Sequence, residues 1–366
     1  MLKKRNIGIV DYDISVKGGV EQVTCSMANA LTSDFEVFVV SYGKQNFDIP
    51  YEFEPDVKVH ALLNKEVRLR DVLINCYSPF RKYIKENKIE LVIFMGAYAA
   101  STGMVLTKGL KIKTIFFDHG ALMNQWNEKN VRFMRKYTSK KANKTVTLTE
   151  RTRMDYLDKF KTKPENILCL YNWIDDKVME AAGIYNKESK KIISVGRISK
   201  EKGFDLLLQV AKDVLDECSE WSWDIYGDGP QKEEIQSKSI ELGLQNRLNF
   251  LGQRLDVIEK YKDYGIFVLT SYREGMPLVL LEARANSLPI VSFDIVTGPG
   301  EIVEDGMDGY LIEPYDTDQM AKKIIQLIQD KELRNGMSKV SENNIEKFLK
   351  KEIIFKWIQL IHSCLN

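Results

Sequence analysis

The chain has 366 residues, 44% of them hydrophobic and 29% charged, with a formal net charge of +1. Such a composition supports buried cores, the length is a prior for two domains, and the near-neutral balance excludes a whole-molecule binder of polyanions such as nucleic acid. The balance hides a split: residues 1–175 carry about 28 Lys/Arg against 20 Asp/Glu, and residues 176–366 about 25 against 32.

In chain order, short β-rich runs occupy 6–10, 35–41, 57–62, 91–95, 114–117 and 145–149 in the first half. The second half has 191–195, 222–226, 248–251, 266–269 and 289–293. Several are apolar throughout, as strands covered on both faces must be. Helical spacing fills 20–31, 204–217, 231–242, 277–285 and 317–329. Alternation of this kind predicts parallel sheets wound with helices. Ten or more strands exceed one ordinary sheet, so two α/β domains in tandem are expected. The boundaries are placed at 1–172, a polar linker 173–190, a second domain 191–347 and an apolar tail helix over 348–366.

Five cysteines, Cys25, Cys76, Cys169, Cys218 and Cys364, are scattered without a CxxC pair, which predicts reduced thiols and a cytoplasmic setting. The N-terminal apolar run is too short for a signal peptide, and no stretch reaches the roughly 18 apolar residues of a membrane span. Any membrane contact is therefore expected to be peripheral, at the inner face of the cell membrane.

The candidate chemistry also follows the chain. Gly18 and Gly19 separate the first strand from its helix, where backbone can approach a ligand closely; a Gly-Gly turn alone is ordinary, and the spacing is not that of a dinucleotide site. His119, one of three histidines, sits between Asp118 and Gly120 just after a strand, at the edge where open sheets bind ligands. Between 129 and 163, twelve Lys/Arg face only Glu150, Asp155 and Asp158. That stretch reads either as a solvated face or as a patch for an anionic membrane surface or anionic acceptor.

Gly196 and Arg197 end the strand at Val195, and Lys202 and Gly203 follow before a helix. Two cations around one strand-to-helix turn can neutralise a pyrophosphate, Arg as a planar fork and Lys as a point charge. Gly227 opens a second turn, Gly227-Asp228-Gly229-Pro230. After the strand ending near Thr270 come Ser271, Glu274, Gly275, Met276 and Pro277. Proline suits a first helical position, so the amides of Leu278 and Val279 are expected to point from a helix N-terminus, a ready anion site. Glu282 lies about one and a half turns on. Glu274 and Glu282 are thus expected at opposite ends of one pocket, since carboxylates accept sugar hydroxyls. The glycine-rich stretch 299–311 is expected to rim it.

Together these motifs resemble the family-4 retaining glycosyltransferases, of the kind used in bacterial polysaccharide or glycolipid synthesis. The resemblance runs the length of the chain, through Gly18-Gly19, His119, Tyr171-Asn172-Trp173-Ile174-Asp175, Gly196-Arg197, Lys202-Gly203, Gly227 to Pro230, Glu274 with Glu282, Asp305-Gly306 and Asp308-Gly309. Trp173 stands where proline is frequent. The resemblance implies the GT-B fold: two Rossmann-like domains facing across a cleft, with the tail helix crossing back to the first. It implies that Arg197 and Lys202 bind the diphosphate, that Glu282 holds the ribose, and that Glu274 with the backbone of Gly275 and Met276 holds the sugar. It also implies that Gly18 and Gly19 approach the donor and that His119 contacts the sugar near the reacting carbon.

No cofactor and no metal are implied; the partners are a nucleotide-sugar donor, by family habit a UDP-hexose, and a saccharide or lipid-linked acceptor, with no nucleic acid. Two other readings stand beside this one: a non-catalytic sugar-binding or partner subunit on the same scaffold, and a nucleotide-sugar epimerase of the same architecture.

Overall fold

The computed structural model describes residues 4–44, 48–254 and 256–366, so the first three residues of the N-terminal run lie outside it. The chain divides into two compact units, residues 1–172 with 351–366, and residues 173–350. The 173–190 segment, expected as a separate linker, falls within the second unit.

Unit 1 runs β1 (Arg5–Asp13), α1 (Gly19–Leu31), β2 (Phe35–Gly43), β3 (Lys58–Ala61), α2 (Leu69–Asn75), α3 (Tyr77–Glu86), β4 (Leu91–Met95), α4 (Gly96–Leu106), β5 (Lys113–Asp118), α5 (Lys129–Lys141), β6 (Lys144–Thr147), α6 (Glu150–Phe160) and β7 (Ile167–Cys169). Its seven strands lie in the order β3-β2-β1-β4-β5-β6-β7, every pair parallel. The order reverses at β1 and β4, whose registers pair Ile7 with Leu91 and Val10 with Phe94. Helices cover both faces, which is why β1 and β4 are apolar at successive positions: Ile7, Ile9, Val10 and all of Leu91–Met95 are buried. Helix α6 starts where the Thr149 hydroxyl accepts the amide of Thr152, a side-chain cap for one orphan donor.

Unit 2 runs α7 (Asp176–Ala181), β8 (Lys191–Val195), α8 (Phe204–Glu217), β9 (Ser222–Tyr226), α9 (Lys232–Glu241), β10 (Leu248–Gly252), β11 (Ile266–Leu269), α10 (Leu278–Ala285), β12 (Ile290–Phe293), α11 (Pro299–Ile302), β13 (Gly309–Ile312), α12 (Thr317–Gln329) and α13 (Lys331–Asn343). The six strands are parallel in the order β10-β9-β8-β11-β12-β13. The reversal here is at β8 and β11. Helix α8 buries Phe204, Leu207, Leu208, Ala211, Val214 and Leu215, a stripe at spacings of three and four, against one face of that sheet.

The last helix, α14 (Lys350–Leu365), belongs to unit 1 from residue 351 onward. It buries Ile353, Trp357, Ile361 and Cys364. Trp357 packs edge-on against Phe117 of β5, with centroids 4.9 Å apart. His362 lies 5.0 Å from Phe35 at the start of β2. No helix among the described residues is long and apolar enough to cross a membrane.

Candidate functional site

In unit 2 the loops after β8 and β11 leave neighbouring strand ends, at the reversal of strand order where open α/β sheets bind ligands. Two close backbone approaches bring them together. Gly203 sits at φ +63, where a Cβ would run into the carbonyl oxygen of Thr270. The Tyr272 amide donates to the Glu201 carbonyl at 2.9 Å. The short turn carrying Lys202 is thereby laid on the loop after β11. Its ammonium reaches Glu274 Oε1 at 2.7 Å, where the Ser271 hydroxyl also donates at 2.6 Å. The Lys202 side chain is 24% exposed and that of Glu274 8%, so the pair is partly desolvated yet open on the lysine side.

The loop before α11 backs the same residue through its main chain. Thr297 Oγ1 donates to the Glu274 carbonyl at 2.9 Å. Gly298, at φ +102, has only hydrogen where a Cβ would press on Pro277 and the Gly275 carbonyl. On the other side, Gly227 lies where a Cβ would meet the Gly196 carbonyl, and the Gly196 amide donates to Tyr226 O at 3.0 Å. Arg197 is exposed on the loop after β8.

Helix α10 begins at Leu278, with Pro277 as its extended N-cap at ψ 116, one position later than the sequence suggested. Its first intrahelical amide is that of Leu280, donating to Pro277 O. Among the described residues, the amides of Leu278 and Val279 meet no protein acceptor. Met276 is buried.

Glu282 is held differently from Glu274. Its Oε2 accepts from the Tyr261 hydroxyl at 2.6 Å, and burial raises its pKa above the usual carboxylate range, the tyrosine opposing in part. The two glutamates thus have separate partners: Lys202 and Ser271 for one, Tyr261 for the other. The loop over Asp305–Gly309 is pinned by a buried ion pair, Arg284 Nη2 to Asp308 Oδ2 at 2.7 Å, and by Arg284 donating to Ile302 O. A hollow of about 640 Å³ between the ends of α8 and α12 contains none of these residues.

In unit 1, Gly18 is the extended N-cap of α1 and Gly19 its first residue. Tyr51 clamps the turn: its hydroxyl accepts the Gly18 amide at 3.0 Å and donates to the Gly18 carbonyl at 2.7 Å. His119 follows β5 directly. Its ring packs 4.1 Å from Phe117, and its Nε2 is enclosed without a hydrogen-bond partner among the described residues. Burial lowers its pKa to about 3, so the imidazole is neutral at physiological pH. The turn after it is built around Asp118, which accepts from Tyr156 Oη at 2.6 Å, from the Gly120 amide at 3.2 Å and pairs with Arg135 Nε at 3.1 Å. Arg135 also donates to Ala121 O. The guanidinium occupies the space where a side chain at Gly120 would sit.

Arg135 is thus no part of a solvated basic face, although it falls within 129–163. The remainder of α5 does present one: Lys129, Phe133, Lys136, Lys140 and Lys141 are exposed.

Sequence reasoning did not foresee Tyr51, Tyr261, Thr297, Arg135 or Tyr156 as site supports. Each reaches its partner from an element distant in sequence, so no local spacing signals it. Among the described residues, no group of three or more His, Cys, Asp or Glu is placed to hold a metal ion.

Comparison with known proteins bears on this geometry. Residues 17–178 match the family described as Glycosyltransferase Family 4, and residues 176–344 that described as Glycosyl transferases group 1. The chain is 30% identical over 357 residues to an uncharacterized glycosyltransferase of Haemophilus influenzae, covering 96% of this chain and 99% of that protein. It is 24% identical over 362 residues to a Campylobacter jejuni enzyme named GalNAc-alpha-(1->4)-GalNAc-alpha-(1->3)-diNAcBac-PP-undecaprenol alpha-1,4-N-acetyl-D-galactosaminyltransferase, covering 95% of this chain and 96% of that protein. Among solved structures, a point variant of S. aureus TarM in complex with Fondaparinux, alpha-GlcNAc-glycerol and UDP superposes with a TM-score of 0.83 at 19% identity, covering 97% of this chain and 99% of that one. Anabaena HepE in complex with UDP-glucose gives 0.82 at 17%, covering 98% and 99%. At those identities the structural likeness is one of fold.

Proposed function

Because the chain belongs to the family-4 glycosyltransferases of the GT-B fold, we propose that it moves a hexose from a UDP-sugar, with retention of configuration, to a hydroxyl of a saccharide or lipid-linked acceptor. The observation that carries this reading is the Lys202–Glu274 pair, set at the β8–β11 reversal beside a loop that leads into the first turn of α10. A pyrophosphate there would meet the Lys202 ammonium, the Arg197 fork and the amides of Leu278 and Val279, at the positive end of the helix dipole. Glu274, freed from part of its pairing, would accept hydroxyls of the transferred ring, and Glu282, steadied by Tyr261, those of the ribose. Gly19, beside the Gly18 peptide that Tyr51 holds, would let backbone come close to the donor, and neutral His119 would contact the sugar without bringing a charge.

In the step itself, the acceptor oxygen bonds to the anomeric carbon on the face that the nucleotide leaves. The bond from that carbon to the phosphate oxygen breaks, and its electron pair stays on UDP. The acceptor proton passes to a phosphate oxygen. The charge that develops on the diphosphate is what Lys202 and Arg197 stabilise, a task that requires no metal ion. The UDP complexes of the structural neighbours and the undecaprenol-linked acceptor of the Campylobacter relative support this choice of donor and acceptor class.

The test is to replace Lys202 or Glu274 by alanine and assay transfer from a panel of nucleotide sugars. Rates are expected to fall by about 10²-fold or more, as on loss of one preorganised charge-stabilising group, with the circular-dichroism spectrum unchanged. Wild-type rates in either variant overturn the site. Chelation by EDTA is expected to leave the rate unaltered, and loss of activity restored by a divalent cation overturns the metal-independent step.

A further inference from the structure

A cavity of about 360 Å³ opens in unit 1 among Asp11, Tyr12, Glu21, Leu69, Met95 and Tyr98. It sits at the carboxyl ends of β1 and β4, the reversal point of that sheet, where parallel sheets hold ligands. Its volume is at the small end of the roughly 300–1,000 Å³ typical of small-molecule sites.

Two properties of its lining select a ligand. The first is aromatic. Tyr98 is 45% exposed and is braced edge-on by Tyr12, centroids 6.2 Å apart, whose hydroxyl is fixed on the Val67 carbonyl. Beside Tyr98, Gly96 would present an added Cβ to open space, so the floor next to the ring is clear. The second is electrostatic. Asp11 and Glu21 contribute carboxyl groups, and among the described residues no Lys or Arg lines the cavity. Asp11 is already committed, accepting from Thr24 Oγ1 at 2.7 Å and the Asp13 amide at 3.2 Å. Glu21 has no ion-pair partner among the described residues and is the group left to meet a ligand. Burial raises Glu21 to about 7, with Asp11 adding to it, so near neutrality Glu21 both donates and accepts hydrogen bonds. A further negative charge placed here would face two carboxyl groups and no cation.

We propose that this cavity receives the terminal sugar ring of the acceptor, and that the ring is neutral: its C–H face lies on Tyr98, its hydroxyls meet Glu21, and rings bearing carboxylate or phosphate are rejected. This rests on the glycosyltransferase reading and specifies the acceptor class within it. Ring C–H groups pack on the electron-rich face of tyrosine, and like charges at short range oppose binding.

The test uses the full-length protein with UDP present and ligand-observed NMR titration of matched methyl hexopyranosides and methyl hexopyranosiduronates near neutral pH. Neutral glycosides are expected to bind at least tenfold more tightly than the uronates. Tyr98→Ala should abolish that binding, and Glu21→Lys should shift the preference toward the uronate. Equal or tighter uronate binding overturns the proposal, as does neutral-ring binding untouched by Tyr98→Ala or a preference unmoved by Glu21→Lys. A parallel UDP titration keeps the readings apart. A wild-type protein that fails to bind UDP sinks the transfer reading, whereas UDP bound alongside a preferred uronate sinks only the neutral subsite.

Discussion

At Gly203, a methyl group would have to share space with the Thr270 carbonyl while the backbone held φ +63. Left-handed backbone costs a non-glycine residue roughly 1–2 kcal/mol before any clash is counted. Gly203→Ala is therefore expected to lose about 2 kcal/mol or more of stability in urea titration. Because it pushes the Lys202 turn off its shelf, kcat should fall by about 10²-fold, the scale of an ångström of misplacement. The Asp118–Arg135 pair makes a sharper case, with both side chains at most 3% exposed. Arg135→Met would strand a carboxylate whose remaining partners are Tyr156 and the Gly120 amide, and breaking a buried pair from one side costs about 3–5 kcal/mol. Tyr156→Phe removes a single hydrogen bond and should cost about 1–2 kcal/mol; an Arg135→Met loss no larger than that would show the ion pair to be dispensable.

Glu21 gives a pH signature with the opposite sign to an ion-paired acid. Its pKa rises from 4.5 to about 7 on folding, so between those values the native state holds more protons than the unfolded chain. Its contribution to stability then falls as pH rises across that window. Glu21→Gln is expected to flatten the slope of unfolding free energy between pH 4.5 and pH 7, and an unchanged slope would mean the carboxyl is ionised as in water.

At the scale of elements, what was legible depended on whether a periodic apolar face survived in the sequence. Helix α8 buries a clean stripe, and its bounds follow from the spacing alone. Helix α4, Gly-Ala-Tyr-Ala-Ala-Ser-Thr-Gly-Met-Val-Leu, is apolar or small at nearly every position and buries residues on most sides, so it offers no period to read. Strand β7 is three residues long, below what any pattern resolves. In the site, the cations and glycines of the β8 loop and Glu274 were visible as a motif, but the direct Lys202–Glu274 pairing was not. Charge type announces affinity for phosphate, whereas the tertiary approach of two loops decides which partner is met first. Glu282 reads as a sugar ligand on spacing; that it leans on Tyr261 depends on a turn before β11 that no local signal ties to α10.

Helix α5 shows charge concealing structure. Read as a basic segment, it is an amphipathic helix that buries Val131, Arg135, Thr138 and Ser139 and turns Lys129, Phe133, Lys136 and Lys140 outward. Phe133 is 69% exposed and stacks on Tyr137 at 6.3 Å. If this face meets membrane, each basic residue near an anionic surface contributes about 1 kcal/mol. Co-sedimentation with phosphatidylglycerol vesicles should then exceed that with phosphatidylcholine, weaken with salt, and drop by about tenfold or more in a Lys136→Glu, Lys140→Glu variant. Equal binding to neutral vesicles removes the membrane reading of 129–163.

At the scale of the whole molecule, each unit closes its own core around a parallel sheet, but unit 1 does so with residues from both ends of the chain. The contact that matters is Trp357 on Phe117. Trp357 is fully buried, and its indole N–H has no partner among the described residues, so the ring contributes through area and pays for an unmet donor. Phe117 is also the neighbour of His119, which links the tail to the turn that carries a proposed sugar contact. Trp357→Ala is expected to cost about 3–5 kcal/mol, the range for a large aromatic removed from a core. Trp357→Phe keeps most of the area and deletes the orphan donor, so its cost should be smaller, about 1–2 kcal/mol. Since the diphosphate and ribose contacts proposed for UDP, Lys202, Arg197, the α10 amides and Glu282, lie in unit 2, UDP affinity by calorimetry should be unchanged in the phenylalanine variant at temperatures where it is folded. A phenylalanine variant as unstable as the alanine one would mean the indole nitrogen is satisfied after all, and a parallel loss of UDP affinity would place the tail's role elsewhere than in the core of unit 1.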